Sequence, residues 1–600
     1  MVKAREVFSN QHLNTIEKGE TMKKILTSMV LVLALAAGST TVFAANLKWP
    51  YLIYPGQQGA MEVLWQDTTT ETTNTLCWGT DTTYSTGCDT NDVEYSASTH
   101  QHMYTISGLQ DNTTYYYQVK DATNGVYGSG SFITAPSANA TSIRFLGIGD
   151  TRSYPYNLDG VMQAMRNFYT QPGNADYQRL VIHNGDWVSS DGESYWTSQW
   201  FDSTKTDIVN FTANSPINGC EGNHDTSGSY PNGTSQYFPK YFPFPYLHAT
   251  HNGTATTFNP AVVQTWANLY WSFDYGPVHF TVVDNYSNVA AGSAQFNFVQ
   301  ADLAASTKPW NILIYHEPAW SAGSDGDNTA VRVFEQFLGP QATNPQNGHY
   351  FDLVYNGHSH NYARTGAYSL AGANGDTTIA LNVPHFTTGG GGAPVYQPDF
   401  TNTGSYPHVI TAWPADEFMA FDVEGKTLTI NTYQVNGLAS YASGSVQSGP
   451  LPVTTGISPI EQIVLNHFTN VSSQVTAQVG NIVYNRATRT YNGSVTITNN
   501  GPALTGNVDV VLDGMINIQG IGNADNEYST ATPKPTSKIA QNTNLVTNVT
   551  LANANGSNNG EPMIRATTTG LANGASVTVP LQFSNPTNAK FTFNPITYQE

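Results

Sequence analysis

The pattern of hydrophobic and polar positions changes twice along the chain and divides it into three folded parts. Residues 46 to 136 alternate apolar and polar side chains in short runs, such as Met61-Glu62-Val63-Leu64-Trp65, separated by turns rich in Asp, Asn, Thr and Gly. Period-two alternation with frequent turns predicts a β-sandwich over 46–136. Residues 135–140, with the sequence APSANA, are typical of a linker.

A different pattern runs from 141 to 450. Apolar strands at 143–148, 179–182 and 310–314 end in polar turns, and amphipathic helices are predicted over 293–305 and 328–338. Alternation of strands and helices indicates an α/β domain over 141–450.

From 455 the chain returns to alternating Val and Thr, as in Ser494-Val495-Thr496-Ile497-Thr498, with Asn-Gly turns between the runs. This pattern predicts a second β-sandwich over 455–600, with a polar insertion near 521–546. The predicted fold class is therefore multidomain: a central α/β domain flanked by N-terminal and C-terminal all-β sandwiches.

Residues 1–45 have the features of an export signal. Lys23 and Lys24 precede an apolar run over 25–37, and small residues ending in Val42-Phe43-Ala44-Ala45 follow it. The run is shorter than the roughly 20 apolar residues of a membrane span, so a signal peptide is favoured over a membrane anchor. Acidic residues are uncommon ahead of such a signal, which makes Met22 the expected true start. We expect a secreted or periplasmic bacterial protein without a membrane span in the mature chain.

Composition narrows the function classes. The chain has 23 basic and 43 acidic side chains, a net charge of −20. A non-specific nucleic-acid binder needs the opposite balance, so no nucleic-acid partner is expected. No pattern indicates a particular oligomeric state. Cys77 and Cys88 lie eleven residues apart and either form a disulfide in an oxidising compartment or remain free thiols, whereas Cys220 is expected to be a buried thiol.

Polar clusters follow five of the central domain's strands. They are Gly149-Asp150-Thr151-Arg152, Gly185-Asp186-Trp187, Gly222-Asn223-His224-Asp225, His316-Glu317-Pro318 and Gly357-His358-Ser359-His360. Ligands of α/β sheets bind beyond the carboxyl ends of strands, so we expect these clusters to converge. Their carboxylate, amide and imidazole groups suit zinc, manganese or iron. Glycine beside four clusters allows sharp turns close to the metals. Together they predict a shared dinuclear metal site.

In type and order, these clusters resemble those of the calcineurin-like metallophosphoesterase superfamily, and within it the purple acid phosphatase group. The residues that support the closer resemblance are 314–320 (IYHEPAW) and 357–364 (GHSHNYAR). Residues 104–109 (YTISGL) and 132–136 (FITAP) are similar to that group's N-terminal fibronectin-III-like domain. The resemblance covers about 46–450 and implies α-β-β-α layers for the central domain.

The resemblance also implies a role for each residue of the clusters. Asp186 would bridge two divalent or mixed-valence metal ions, which would be iron, zinc or manganese. The remaining ligands would be Asp150 and His360 on the first metal, and Asn223, His316 and His358 on the second. His224 would be the acid or phosphate-contacting residue, and Asp225 would orient it, because a proton-transfer group needs a partner to fix its tautomer.

Two positions depart from the family. The tyrosine found three residues after the bridging aspartate in the purple enzymes is Ser189 here, so we expect a protein without the purple phenolate–iron colour. The histidine that another branch places two residues after the first aspartate is Arg152 here. Only Asp150, Asp186 and His360 are therefore expected at the first metal, and a catalytic metal site functions with three protein ligands.

Four residues near these motifs have open or secondary roles. Arg152 either binds a substrate phosphate or pairs with a carboxylate. His183 either completes the first metal site or is a core histidine. Arg364 is expected in a structural ion pair, and His385 is a candidate to line the pocket. The aromatic-rich loop over 226–268 either forms a wall for the substrate or packs against the protein surface.

The clusters predict a metal-dependent phosphoric ester hydrolase, and the resemblance to the purple acid phosphatase group implies the acid phosphatase type. A metal-bridging hydroxide would attack a small phosphate monoester and His224 would protonate the leaving group. The alternatives are a phosphodiesterase or nucleotidase using the same site, or a catalytically inactive cell-surface binding protein, for which Ser189 is the favouring feature.

Overall fold

The structure is a computed structural model, and it describes a defined set of residues. These are 46–67, 74–90, 93–95, 100–121, 125–260, 264–323, 327–339, 344–365, 383–398, 409–438, 456–513, 549–558, 561–585, 591 and 593–600. The predicted signal segment over 1–45 and the predicted insertion near 521–546 lie outside this set. None of the helices within it combines the length and apolarity needed to cross a membrane.

The N-terminal part is built from two antiparallel sheets, ordered β1-β2-β6-β5 and β4-β3-β7-β8. Met61, Val63 and Trp65 alternate into its own core, whereas Leu64 points the other way and joins the core of the central domain. A disulfide joins Cys77 to Cys88 across β3 and β4, which confirms the first alternative for this pair. The strands are β1 (Asn46–Ile53), β2 (Met61–Asp67), β3 (Asn74–Gly79), β4 (Gly87–Asp89), β5 (Val93–Tyr95), β6 (Gln101–Ile106), β7 (Thr114–Asp121) and β8 (Gly125–Ile133).

The central part contains two larger mixed sheets. The strands are β9 (Ser142–Ile148), β10 (Val181–His183), β11 (Ile217–Gly219), β12 (Thr250–His251), β13 (Thr254–Ala255), β14 (Trp271–Tyr275), β15 (Val278–Val282), β16 (Trp310–Ile314), β17 (Leu353–Asn356), β18 (Tyr362–Thr365), β19 (His385–Thr388), β20 (Val409–Trp413), β21 (Glu417–Glu424), β22 (Thr427–Asn436) and β23 (Gly456–Asn466). One sheet has the order β11-β10-β9-β21-β22-β23, the other β14-β15-β16-β17-β19-β18-β20, and β12 pairs with β13.

Aromatic contacts join the two central sheets face to face. Phe145 on β9 lies edge-on to Phe280 on β15, with ring centroids 5.4 Å apart. Phe421 on β21 makes the same kind of contact with Tyr355 on β17, at 5.7 Å. The strands β9, β10 and β11 run parallel in one sheet, and β15, β16, β17 and β19 run parallel in the other.

Helices pack against both sheets: α1 contacts β21 and β22, and α5 contacts β15. The α-helices are α1 (Pro155–Tyr169), α2 (Glu193–Tyr195), which continues as a π-helical turn over Trp196–Trp200, α3 (Thr206–Thr212), α4 (Phe238–Tyr241) and α5 (Ala294–Ala305). Helix α5 confirms the helix predicted over 293–305. The helix predicted over 328–338 is instead 3₁₀ over Thr329–Phe337, because the buried Val331, Phe334 and Phe337 repeat every three residues. Shorter 3₁₀ turns occupy Ala175–Arg179 and Ser472–Gln474.

The central sheet continues past residue 450, where the sequence pattern placed the end of the domain. Strand β23 pairs along β22 from Gly456 to Asn466. Arg364 on β18 forms an ion pair with Glu461 on β23 at 2.7 Å, which confirms the structural role predicted for this arginine.

The C-terminal part has two antiparallel sheets, ordered β24-β33-β28-β31-β30 and β25-β27-β32-β29, with β26 beside β27. Val495, Val510, Leu581 and Phe583 belong to one core cluster shared by these sheets. The strands are β24 (Thr469–Asn470), β25 (Val475–Val479), β26 (Val483–Asn485), β27 (Thr490–Asn499), β28 (Val508–Asp513), β29 (Thr550–Leu551), β30 (Gly556–Asn558), β31 (Glu561–Thr567), β32 (Ser576–Ser584) and β33 (Asn594–Gln599).

Candidate metal centre

The five polar clusters meet at the carboxyl ends of the parallel strands. Asp150 and Asp186 follow β9 and β10, and Asn223 and His224 follow β11 in the same sheet. His316 follows β16, and His358 and His360 follow β17, in the facing sheet. Because neighbouring strands run parallel and the two sheets pack face to face, residues far apart in sequence come within contact distance.

The backbone carries unusual conformations at this site. Asp150, Asp186 and His358 have φ values of 53°, 58° and 69°, a region that residues other than glycine seldom adopt and that concentrates at functional sites. Gly185 precedes Asp186 with φ at 103°, and a Cβ there would collide with the ring of His316. A Cβ at Gly222 would collide with the Asp186 carboxylate. Glycine is thus required where the loops approach the carboxylates and imidazoles.

Asp186 Oδ1, Asn223, His316 and His358 form one candidate metal position. His316 Nε2 lies 3.3 Å from Asp186 Oδ1 and 3.2 Å from Asn223 Oδ1. His358 Nδ1 lies 3.0 Å from the same Asn223 oxygen. The other nitrogen of His316, Nδ1, faces the Asn184 carbonyl at 2.8 Å, so it carries the proton donated there and directs the Nε2 side of the ring inward.

Electrostatics at this position favour a cation. Burial would raise the pKa of Asp186, but His316 and Arg152 hold it well below its usual range. Burial would lower the pKa of His316, but Asp186 and Asp150 raise it to about 10. Burial and His316 together lower the pKa of His358. An ionised carboxylate surrounded by imidazoles fits a metal ion, whose binding displaces protons from its ligands.

Asp150, Asp186 and His360 form the other candidate position, expected above for the first metal, with one ligand atom of each within 4.8 Å of the others. His360 Nδ1 faces the Pro394 carbonyl at 2.8 Å, and Nε2 lies 3.4 Å from Asp150 Oδ1. Asp150 Oδ1 is buried and has no hydrogen-bond partner among the described residues. A buried, unsatisfied carboxylate oxygen beside an inward-facing imidazole nitrogen fits a metal ligand set.

Arg152 and Ser189, the two departures from the family pattern, lie beside this position. Arg152 donates from Nε to Asp186 Oδ2 at 3.0 Å, and its Nη2 lies 3.2 Å from His360 Nε2. Of the two roles predicted for Arg152, the structure shows the pairing with a carboxylate, although that carboxylate is buried. Ser189 Oγ lies 3.0 Å from Ser153 Oγ and hydrogen-bonds with Gln199.

His224 lies at the mouth of the site with 31 % of its side chain exposed. Its Nδ1 faces the Ser189 carbonyl at 2.8 Å, so Nε2 is the nitrogen left to face the site, 4.0 Å from Asp186 Oδ2. The expected orienting contact from Asp225 is therefore replaced by a backbone carbonyl. The tight turn over 222–225 folds the Asp225 carboxylate back onto the amides of Gly222, Trp187 and Val188, at 2.8–3.2 Å.

Asp225 links the loops that carry Asp186 and Asn223. It is fully buried, and burial together with the nearby Asp186 raises its pKa well above the usual range. Its three backbone hydrogen bonds make it a positioning residue for those two loops.

His183 and His385 are not part of the cluster. His183 stacks on Trp187 at 3.7 Å, accepts from the Gly185 amide at Nδ1 and contacts Thr151 through Nε2, so both nitrogens are used within the core. His385 begins β19, at the end opposite the site, and its Nε2 lies 3.3 Å from Glu335 Oε1. The core interpretation of His183 is confirmed. His385, which was only a candidate to line the pocket, lies away from the strand ends that carry the site.

In the described parts of the loop, 226–260 and 264–268, several aromatic side chains pack into the protein. The side chains of Phe238, Tyr241, Phe242, Phe244 and Trp266 are all at least 98 % buried and belong to the central core.

Sequence reasoning did not identify the backbone carbonyls of Asn184, Ser189 and Pro394, which orient three of the site's imidazoles. These groups belong to the main chain, so no pattern of side chains in the sequence could have revealed their role.

Comparisons with known proteins agree with this geometry. Residues 143–362 match the calcineurin-like phosphoesterase family model. Residues 50–134 match the purple acid phosphatase N-terminal domain.

Curated relatives in plants are named as purple acid phosphatases or as a nucleotide pyrophosphatase/phosphodiesterase. Purple acid phosphatase 15 of Arabidopsis thaliana is 26 % identical over 286 residues, covering 44 % of this chain and 49 % of that protein. A nucleotide pyrophosphatase/phosphodiesterase of Hordeum vulgare is 25 % identical over 257 residues, covering 40 % and 62 %. A probable inactive purple acid phosphatase 9 of Arabidopsis thaliana is 24 % identical over 255 residues, covering 38 % and 37 %. The chain spans about half the length of the curated relatives it matches.

Among solved structures, the chain matches a purple acid phosphatase from seeds of yellow lupin (Lupinus luteus) with a TM-score of 0.47 and 16 % identity. That match covers 65 % of this chain and 72 % of the other. A structure of PhoD has a TM-score of 0.48 and 13 % identity, covering 72 % and 92 %.

Proposed function

Since this chain belongs to the calcineurin-like metallophosphoesterases and carries a purple acid phosphatase N-terminal domain ahead of the phosphoesterase domain, we propose that it is a metal-dependent hydrolase of small phosphate monoesters. The observation that best supports this is the convergence of two carboxylates, one amide and three imidazoles from five strand ends, with ligand atoms directed inward.

The residues divide between two metal positions that share Asp186. The first would be held by Asp150, Asp186 and His360, and the second by Asp186, Asn223, His316 and His358. Iron, zinc and manganese suit these donors. When bound, the metals supply Lewis-acid binding of phosphoryl oxygens and lower the pKa of the attacking water.

His224 is the proposed general acid. Its Nδ1–H is held by the Ser189 carbonyl, so the proton to be transferred is at Nε2, on the side facing the site. Partial exposure at the mouth leaves that nitrogen accessible to the leaving group of a substrate, which supports this role.

A phosphodiesterase or nucleotidase activity on the same site is the second candidate, supported by the name of the Hordeum vulgare relative, a nucleotide pyrophosphatase/phosphodiesterase. An inactive binding protein is the third, supported by Ser189 and by relatives named as inactive. Steady-state kinetics of the metal-loaded protein separate the three. We expect a higher kcat/KM for p-nitrophenyl phosphate than for bis(p-nitrophenyl) phosphate, with both activities abolished in Asp186→Asn. A preference for the diester favours the second candidate, and no turnover with metal bound favours the third.

The proposal extends to location and architecture. Export is supported by the pattern over 1–45 and by the Cys77–Cys88 disulfide, which suits an oxidising compartment. Mass spectrometry of protein recovered from the periplasm or medium tests it, with a mature N-terminus near Ala45 as the expected result. We interpret the helices on the two central sheets as α-β-β-α layers, and the C-terminal sheets with their shared core as an accessory sandwich.

A further inference from the structure

The imidazole of His360 has one lone pair available to the first metal position. Its Nδ1 lies 2.8 Å from the Pro394 carbonyl, which accepts a hydrogen bond and cannot donate one, so Nδ1 carries the proton. The lone pair is therefore on Nε2. That nitrogen lies 3.2 Å from Nη2 of Arg152, a group that is always protonated and always a donor.

The two oxygens of the Asp186 carboxylate also face different partners. Its Oδ1 faces His316 at 3.3 Å, toward the second position. Its Oδ2 accepts the Nε–H of Arg152 at 3.0 Å. One guanidinium therefore contacts both atoms that Asp186 and His360 would offer to the first metal. Among the described contacts, it donates to none of Asn223, His316 and His358, the other ligands of the second position.

We infer that Arg152 and a metal ion compete for the first position, so that the chain binds two metals with unequal affinity: tightly at Asp186, Asn223, His316 and His358, and weakly at Asp150, Asp186 and His360. This deepens the proposed function and rests on it for the identity of the site. The nitrogen lone pair of His360 cannot bind a metal and accept the Arg152 N–H together.

Ser189 does not offset this competition. Its hydroxyl is held by Ser153 and by Gln199, whose side-chain oxygen also accepts the Ser189 backbone amide at 2.9 Å. The first position therefore lacks a fourth side-chain ligand at Ser189 and has a cation beside it. Arg152 retains 14 % exposure, so its guanidinium has a route outward when a metal enters.

The test is a calorimetric titration of the metal-stripped, full-length protein with Zn²⁺. We expect one tight binding event and a second one weaker by about 100-fold, the size expected from displacing charge-assisted hydrogen bonds. Arg152→Met keeps the length of the side chain and removes its donors, so two events within about tenfold of each other are expected. If that variant does not fold, Arg152→Gln provides the same comparison.

Two controls locate the effect. Arg144→Met removes another arginine that pairs with a carboxylate, Asp422, outside the site, and it is expected to keep the wild-type pattern. His360→Ala is expected to abolish the weak event and leave the tight one. The inference is overturned if the wild type binds two Zn²⁺ with similar affinity, if Arg152→Met leaves the gap unchanged, or if His360→Ala removes the tight event.

These outcomes are separate from those for catalysis, because the titration contains no substrate. A chain that binds Zn²⁺ as described yet hydrolyses no phosphate ester contradicts the proposed function and leaves the competition standing.

Discussion

Two clusters of histidine and aspartate lie at opposite ends of the neighbouring parallel strands β15, β16 and β17. Near the start of β15, His279 lies between Asp274 and Asp302, with Nδ1 at 2.8 Å from one carboxylate and Nε2 at 2.9 Å from the other. Beyond the carboxyl ends of β16 and β17, His316 and His360 each use one nitrogen on a backbone carbonyl and direct the other toward Asp186 or Asp150.

The clusters differ in whether an imidazole nitrogen keeps a lone pair that is available to a metal. Burial would lower the pKa of His279, but Asp274 and Asp302 raise it to about 9, so a protonated imidazole satisfies both carboxylates and no lone pair remains. At the other end, carbonyls fix the tautomer and leave nitrogen atoms facing carboxylate oxygens, one of which is unsatisfied. The same residue types thus form a closed ion pair in one place and a cation site in the other.

Replacing one aspartate by asparagine in each cluster is expected to give the largest contrast in kcat/KM. Asp186→Asn weakens both metal positions and is expected to lower kcat/KM for p-nitrophenyl phosphate by at least about 1,000-fold, because charge stabilisation at the phosphoryl group is lost. Asp302→Asn, the matched control at His279, is expected to leave kcat/KM within about twofold, because it touches no group that binds metal or substrate. Equal losses in both variants would contradict the distinction between the clusters.

His224 provides the next largest effect. His224→Ala is expected to lower kcat by about 100-fold or more for an alkyl phosphate, because proton transfer to a poor leaving group needs an acid. For p-nitrophenyl phosphate, whose leaving group needs little protonation, the loss is expected to be much smaller. Steady-state kinetics with the two substrates measure the difference. Equal losses would show that His224 binds the phosphate and is not the acid.

The smallest effect concerns stability at the closed cluster. The pKa of His279 is raised to about 9, so its contribution to stability is complete below the ordinary pKa near 6.5 and is lost as the pH rises through 9. A shift of this size corresponds to about 3 kcal/mol. Thermal unfolding of the wild type should therefore occur at lower temperature at pH 9.5 than at pH 6, and His279→Gln should reduce this dependence. A variant with the same pH dependence as the wild type would contradict the assignment.

Local sequence patterns predicted the parts of the site that depend on single strand ends. Each of Asp150, Asp186, Asn223, His316 and His358 follows an apolar strand, with glycine beside most of them, so the position of each is decided within a few residues. The α-helix over Ala294–Ala305 was predictable for a similar reason, since Ser293 caps it and its apolar face is local.

Features that depend on distant partners could not be predicted. The contact between Arg152 and His360 joins residues 208 positions apart. The role of Asp225 depends on how the turn over 222–225 folds its carboxylate onto the amides of another loop. The addition of β23 to the central sheet depends on pairing with β22, which its own alternation does not reveal. In each case the sequence supplied the residue type, and the tertiary fold selected the partner.

The most direct test of the account is the metal dependence of phosphate ester hydrolysis. Purified mature protein is treated with a chelator, assayed with p-nitrophenyl phosphate, and assayed again after Zn²⁺, Mn²⁺ or Fe²⁺ is added back, with Asp186→Asn carried through the same steps. We expect turnover to be lost on chelation and restored by metal in the wild type only. Turnover that survives complete removal of metal, or that is absent from the metal-loaded wild type, would contradict the account.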